Sequence, residues 1–283
     1  INSQNFNYYN KYGIVIFWRF SFPLMFCNIN SSKNILWIHD GEPLIKSLHY
    51  LKKINILDKV IPKMINKLDS VIYPSHFLKE EIHEIINLNY RFTIIPNFVK
   101  INNKNHKTNK NKNKILWHIN FNRGLQTIID NWNKIKILNK DFELHIYGDK
   151  KELYVNYSGY DNILNDDIFF HNKLSHDEMI DTIPEYNFFI YPAIIRESFS
   201  ISTWECLMNG CLPIVYNLGA IKEIEKYGGI VVKENNFDEI ILFLKHFLVN
   251  DNYEKQLMTI NNIDKTFILR DNIYNKWLNV INL

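Results

Sequence analysis

The sequence predicts an α/β protein built as two parallel-sheet halves, and three observations carry that expectation. Short β-branched and aromatic runs alternate with amphipathic stretches, the order expected when parallel strands are joined by crossover helices. The alternation is interrupted once, by the polar low-complexity stretch KINNKNHKTNKNKNK at Lys100–Lys114, and then begins again. The length, 283 residues, suits about two domains.

In the first half, strands are expected at Gly13–Trp18, Asn34–His39, Ser70–Tyr73 and Phe92–Ile95. Helices are expected near Ile56–Leu68 and Phe77–Asn87, with Ser75, after Pro74, as the N-cap of the second. The second half restarts with a strand at Ile115–Ile119, a turn at Phe121–Gly124 and a helix from Leu125 into the 130s. Further strands fall at Phe142–Tyr147, Asp167–His171, Asn187–Tyr191, Leu212–Tyr216 and Gly229–Val232. Helices fall at Ser175–Ile183, Ser200–Asn209, Asp238–Leu248 and Arg270–Asn279. The expected domains are therefore 1–100 and 115–265, joined by a linker at 101–114 and closed by a helical segment, 266–283, that packs back on the first domain. Two such halves make a cleft between domains, and ligands bind at the carboxyl ends of parallel strands. The opening at Ile1 reads as a fragment, a processed product or an excised domain, with the first half short or truncated.

Composition narrows the class. Hydrophobic residues at 46% and charged residues at 22% exclude a chain disordered overall, a collagen-like fibre and a small disulfide scaffold. Cys27, Cys206 and Cys211 have no CxxC spacing, hence no disulfide framework or zinc signature, and a reducing, cytoplasmic setting is expected. The best apolar stretch, Ile14–Cys27, is broken by Arg19 and Pro23 and is shorter than the roughly 18–20 residues of a bilayer span. It reads as a buried strand and a turn, with Phe17, Trp18, Phe20, Phe22 and Phe26 in the core. The first residues lack the basic region of a signal peptide. Forty asparagines, abundant lysine and isoleucine and only five arginines fit AT-rich coding. Each retained arginine (Arg19, Arg91, Arg123, Arg196, Arg270) then marks a place where a forked, permanent charge is of use. Residues 1–114 carry 17 basic against 7 acidic residues, net +10, and the remainder 16 against 23, net −7. The first half is thus suited to an anionic partner, an anionic membrane surface included, or is a solvated lysine face with a basic linker.

The chemistry concentrates in YPAIIRESFSISTWECLMNGCLPIV, residues 191–215. Glu197 follows a strand and Glu205 lies eight residues later, inside the next helix. Ser198, Phe199 and Ser200 fall where that helix begins, so their backbone N–H groups can face an anion with the helix dipole behind them. Glu205, two turns in, can accept from neutral hydroxyls of a ligand lying across the helix start.

This segment resembles the Glu-x7-Glu signature of retaining glycosyltransferases of family 4, of the group 1 type, which have the two-domain GT-B architecture. Other pieces follow in the family's order. Arg123-Gly124 is similar to its basic-Gly element at the donor diphosphate, and Leu144–Gly148 to its strand-then-glycine. Gly210–Val215 is similar to "G-x-x-P-V", and Gly219-Ala220 with Glu223 to the "GG/GA…E" that follows. Ile94–Asn97 resembles "VIPNG", Val71–Ser75 resembles "V-x-x-P-S", and Trp37–Asp40 resembles the strand whose histidine faces the transferred sugar.

The resemblance implies transfer of a sugar from a nucleotide-sugar donor to a glycan, lipid-linked or protein acceptor, with retention, without metal or other cofactor, in the cytoplasm or at the periphery of a membrane. It implies Glu197, Arg123 and His39 at the reacting centre, and Glu205, Ser198, Phe199, Ser200, Gly148, Lys173, Arg196 and His118 at the donor. Fixed cations and amide dipoles then stabilise the departing diphosphate. There is no Asp-x-Asp motif, only Asp40-Gly41-Glu42 and Asp141-Phe142-Glu143. Glu197 would hold donor sugar hydroxyls rather than act as a nucleophile, and Glu205 the ribose. The sequence departs from the family's pattern at His118, where a second cation is common, at Ser200, where glycine is common, at Arg196, and in lacking a Gly-rich loop near the start. Two other readings stand beside this one: a catalytically silent sugar-nucleotide-binding or scaffolding domain, and, last, a nucleic-acid binder, for which no helix-turn-helix, zinc or RNA-binding signature is present.

Overall fold

The computed structural model describes residues 11–18, 29–86, 90–102, 113–149, 151–152, 166–249 and 251–282. Most of the expected linker, together with Phe20, Phe22, Phe26 and Cys27, lies outside the described residues. The chain forms two compact units: Ile1–Asn97 with Glu197–Phe199 and Asp271–Leu283, and Phe98–Arg196 with Ser200–Arg270.

In the first unit four parallel strands, β1 (Tyr12–Trp18), β2 (Ser31–Trp37), β3 (Ser70–Tyr73) and β4 (Phe92–Ile94), lie side by side in chain order. Side chains alternate across the sheet, so neighbours in sequence serve opposite faces. Leu36, Val71 and Tyr73 join Val15 and Phe17 in a core with helices α1 (Gly41–Lys53), α2 (Leu57–Ile65) and α3 (His76–Ile86). Ile35 and Ile72 instead meet Ile273 and Val280 of α10 (Arg270–Asn282). Lys33 Nζ donates to the carbonyls of Val280 and Ile281 at 3.2 and 2.9 Å, satisfying the carbonyl end of α10. The Ser75 hydroxyl accepts from the Leu78 amide at 3.2 Å and starts α3.

One helix was not foreseen and one expectation needs correction. Gly41–Lys53 is a helix, to which the sequence reading assigned no element; proline in a first turn removes no helical hydrogen bond. The strand β1 is not buried on both faces. It is an edge strand: Phe17 is 7% exposed, but Ile14, Ile16 and Trp18 are 40, 42 and 52% exposed. These three lie on the face of Ile35, where α10 packs on β2 and β3, so Trp18 is not a core residue.

The second unit holds six parallel strands, β5 (Lys114–Trp117), β6 (Glu143–Gly148), β7 (Ile168–Asn172), β8 (Phe188–Tyr191), β9 (Leu212–Tyr216) and β10 (Ile230–Val232), in the order β10-β9-β8-β5-β6-β7. Every residue of β8 and β9 is buried, as expected of inner strands covered on both faces. Among the described residues, the helices that connect or cover them include α4 (Leu125–Asp130), α5 (Trp132–Leu138), α6 (His176–Thr182), α7 (Ile201–Met208), α8 (Phe237–Leu248) and α9 (Asn252–Asn261). No helix of the described residues is long and apolar enough to cross a membrane.

Candidate active site

The strand order of the second unit marks where such sheets bind ligands. From β5 the chain steps outward to β6 and β7, then returns to the other side of β5 as β8 and steps outward to β9 and β10. At such a reversal the loops leaving two adjacent strands diverge, and a crevice opens beyond their carboxyl ends. The strands concerned are β5 and β8, and the loops that leave them begin at His118 and Pro192.

After β5, the Asn120 side chain accepts from the Asn122 amide at 3.2 Å and starts a tight turn, Phe121–Arg123. The turn ends at Gly124 with φ +128°, and α4 begins there. A Cβ at Gly124 would lie 2.3 Å from the Pro192 carbonyl oxygen, and one at Gly148 would lie 2.2 Å from the Phe121 ring. The turn that carries Arg123 is therefore wedged between the ends of β6 and β8, and only glycine fits on either side. Arg123 itself is half-buried. His118 sits at the root of this loop, with Nε2 3.3 Å from Cys206 Sγ and its ring 5.4 Å from that of Phe189. Burial first, and then the neighbouring His176, push its pKa down to about 4. His118 is neutral at pH 7, so it offers an anion no charge.

After β8, Ser200 stands immediately before α7 with φ +63° and ψ +74°, a left-handed conformation that few non-glycine residues adopt. Its hydroxyl pairs with Thr203 Oγ1 at 2.8 Å and does not cap the helix amides. Within α7, Glu205 is only 3% exposed. Its Oε1 accepts from His176 Nε2 at 2.6 Å, and the Lys100 amide also donates to the carboxylate. Burial raises the Glu205 pKa above the usual glutamate value, with the His176 hydrogen bond acting in the opposite direction. Asn209, one turn on, donates to the carbonyls of Lys100 at 3.0 Å and Glu205 at 2.8 Å, while its own oxygen accepts from the Asn102 amide at 2.6 Å. Lys100 pairs with Asp177. Glu205 is thus the hub where α6, α7 and the Lys100–Asn102 segment meet. The sequence locates His176 beside the Ser175/Glu178 capping box of α6, but nothing in it names Glu205 as its partner. Lys173, just past β7, and Arg196, in the loop after β8, are exposed.

The first unit holds the remaining expected residues. His39 follows β2, and its side chain is 24% exposed, with Nδ1 3.3 Å from Asp40 Oδ1. The ring meets Trp37 at 5.6 Å and Trp18 at 6.0 Å, both edge-on. Its backbone carbonyl accepts from the Ser198 hydroxyl at 2.7 Å. Glu197–Phe199 accordingly group with His39 in the first unit rather than with the segments that flank them in sequence. Phe199 is buried and Glu197 half-buried.

Comparison with known proteins identifies relatives of this arrangement. The sequence profile of the family described as "Glycosyl transferases group 1" matches residues 99–266, more than half of the chain. No curated protein sequence matches. Among solved structures, TarM of S. aureus is similar with a TM-score of 0.68 at 19% identity, over 95% of this chain and 55% of TarM. HepE of Anabaena in complex with UDP is similar with a TM-score of 0.69 at 13% identity, over 88% of this chain and 72% of HepE. A sucrose-phosphate synthase from Thermosynechococcus elongatus gives 0.68 at 12% identity, over 96% and 73%. The chain spans little more than half the length of TarM, and at these identities the likeness is one of fold: the GT-B class, with two Rossmann-like parallel sheets.

Proposed function

The chain belongs to the glycosyl transferases group 1 family, and from that premise we propose that it is a retaining, metal-independent hexosyltransferase of the family 4 type. It would move a sugar from a nucleotide-sugar donor to a glycan, lipid-linked or protein acceptor. The observation that carries this reading is Glu205: a buried carboxylate on α7, beside the β5/β8 reversal, with a helix start at Ser200 that no side chain caps.

Each residue then has a task that its chemistry suits. Arg123 supplies a permanent cation to the departing diphosphate, and the first amides of α7 supply dipoles to the same charge. Glu205 accepts from the ribose hydroxyls, and Glu197 from those of the donor sugar as positive charge grows at its anomeric carbon. His39, from the loop after β2, serves the transferred sugar. Retention follows if the acceptor attacks from the face that the diphosphate leaves. HepE and TarM have been crystallised with UDP, which puts UDP-sugars first among donors. Of the +10 excess in residues 1–114, five lysines lie in 101–114, so contact with an anionic membrane surface would draw on residues 101–114 as much as on residues 1–100.

The test is calorimetry against UDP-, GDP- and ADP-sugars with EDTA present, followed by slow donor hydrolysis in wild type and Glu197→Gln. Binding of one nucleotide class, with hydrolysis confined to wild type, is expected. Binding without hydrolysis would favour a silent nucleotide-sugar-binding domain, a reading that the neutral His118 favours. Absence of all binding would overturn the donor site.

A further inference from the structure

Among the described residues, Glu205 is the one carboxylate that is buried, and burial of such a charge is costly unless donors surround it. Two donors are in place, His176 Nε2–H and the Lys100 amide. An ionised carboxylate accepts about four hydrogen bonds, so roughly two positions are left. The nearby polar groups are already committed: the Asn209 amide to the Lys100 and Glu205 carbonyls, and the Lys100 ammonium to Asp177. Two remaining acceptor positions on one carboxylate suit a vicinal pair of hydroxyls.

The partner His176 differs from Glu205 in its exposure. The histidine side chain is 54% exposed and that of Glu205 5%. It occupies the first position of α6, where Ser175 and Glu178 lock the backbone through a reciprocal capping box. Imidazole donates from Nε2 when protonated and also in its neutral Nε2–H tautomer, so the bond to Glu205 does not require a cation at a helix N-terminus, where one is disfavoured. A fixed backbone, a fixed donor and a carboxylate with open acceptor positions make a device for aiming Glu205.

Resting on the nucleotide-sugar reading, we infer that His176 is a positioning residue: it holds one oxygen of Glu205 so that the remaining acceptor positions meet the 2′ and 3′ hydroxyls of the donor ribose, making the site selective for ribonucleotides over 2′-deoxyribonucleotides.

The experiment is calorimetry of the full chain with UDP, GDP and ADP and with their 2′-deoxy counterparts, in wild type, His176→Ala and His176→Gln. Wild type is expected to favour one ribonucleotide over its deoxy form by about tenfold, the scale of a hydrogen bond to a charged group. His176→Ala should lose about tenfold toward the ribonucleotide and little toward the deoxy form, so that the ratio falls toward one. His176→Gln, whose amide can donate from a similar place, should restore most of the preference. In turnover, His176→Ala should raise KM with kcat nearly kept, the mark of a lost binding interaction shared by ground and transition states. A role confined to structure would weaken both nucleotides equally and lower the melting temperature. An unchanged ribo/deoxy ratio in His176→Ala, or an equal loss toward both, overturns the inference while leaving the functional reading intact. Failure of wild type to bind any nucleoside diphosphate overturns both, and the wild-type titration alone tells the two failures apart.

Discussion

The two sheets of this protein are built from the same alternation of parallel strand and helix, yet only one of them reverses. In the first, β1 to β4 lie in chain order, each strand beside the one before it. In the second, the chain turns back between β7 and β8, so that β5 and β8 lie side by side with their loops leaving at the same end. The consequence is visible in packing. Gly13, in β1, has no atom within 4 Å of where a Cβ would lie, whereas a Cβ at Gly124 would meet the Pro192 carbonyl at 2.3 Å. Arg123, Ser200 and the buried Glu205 all flank the reversal, while the first unit offers His39 from a loop end with the Ser198 hydroxyl on its carbonyl. The direction of one connection gathers Arg123, Ser200 and the buried Glu205 beside one pair of strands in the second sheet.

Alanine at one glycine of each sheet separates the two most directly. At Gly124, φ +128° is a conformation that side chains rarely adopt, and the added methyl meets backbone that cannot swing aside. Gly124→Ala is expected to lose about 3 kcal/mol or more, from backbone strain and overpacking together. Gly13→Ala should be neutral or gain up to about 1 kcal/mol, since it removes freedom from the unfolded chain and meets open space. Urea unfolding of the two variants checks this. Equal effects would mean that the loop at the reversal is not specially constrained.

A smaller effect is expected from pH. His118 titrates near 4 in the folded chain and near 6.5 when unfolded. Between those values the unfolded chain binds a proton that the native one refuses, so stability is full above pH 6.5 and falls as pH drops toward 4. The loss from this one half-buried ring is about 2 kcal/mol at the acid end. His83, His145 and His171 are also shifted down by burial and add a slope of the same sign. His118→Gln should therefore shallow the fall between pH 7 and 5 without abolishing it. Denaturation midpoints at both values provide the readout, and an unchanged slope would mean that the ring already accepts a proton in the native state, in which case it could serve as the missing second cation.

What the sequence made legible follows the same division between local and distant causes. The ten expected strands form within three residues of their expected bounds, because buried parallel strands are short apolar runs readable from their own residues. Helix α1 was hidden by Gly41 and Pro43, which signal a loop unless they fall in a first turn. Helix α9 was hidden because only Tyr253 and Ile260 are buried, too few to mark a stripe. The single continuous turn-helix at Ala220–Tyr227 was likewise not foreseen beyond Gly219-Ala220 and Glu223. Within the candidate site, Arg123, Gly148, Ser200 and Glu205 were named from resemblance to a family's motifs, which are local in sequence. The His176–Glu205 bond was not, since 29 residues and the whole of β8 separate its ends and only the fold joins them. The pairing of Ser198 with the His39 carbonyl, 159 residues away, is invisible for the same reason.

The smallest expected effect is at Ser200. Among the described residues, the non-glycine residues with positive φ are Asn55, Asn235 and Ser200; the short amides of the two asparagines tolerate the left-handed region, and serine lacks that tolerance. A left-handed non-glycine residue costs roughly 1–2 kcal/mol. Glycine would relieve that strain but would enlarge the unfolded ensemble by roughly 0.5–1 kcal/mol, and the bond from Ser200 to Thr203 Oγ1 would also go. Ser200→Gly is therefore expected to gain only about 0.5 kcal/mol, a shift near the limit of a good urea titration. The more informative reading is affinity for a nucleoside diphosphate, because removing Cβ and the hydroxyl lets an anion approach the first amides of α7 more closely. Tighter binding at nearly constant stability would show that the serine, not the backbone, limits the anion's approach. Weaker binding would show that the Ser200–Thr203 pair holds the helix start in its receptive shape.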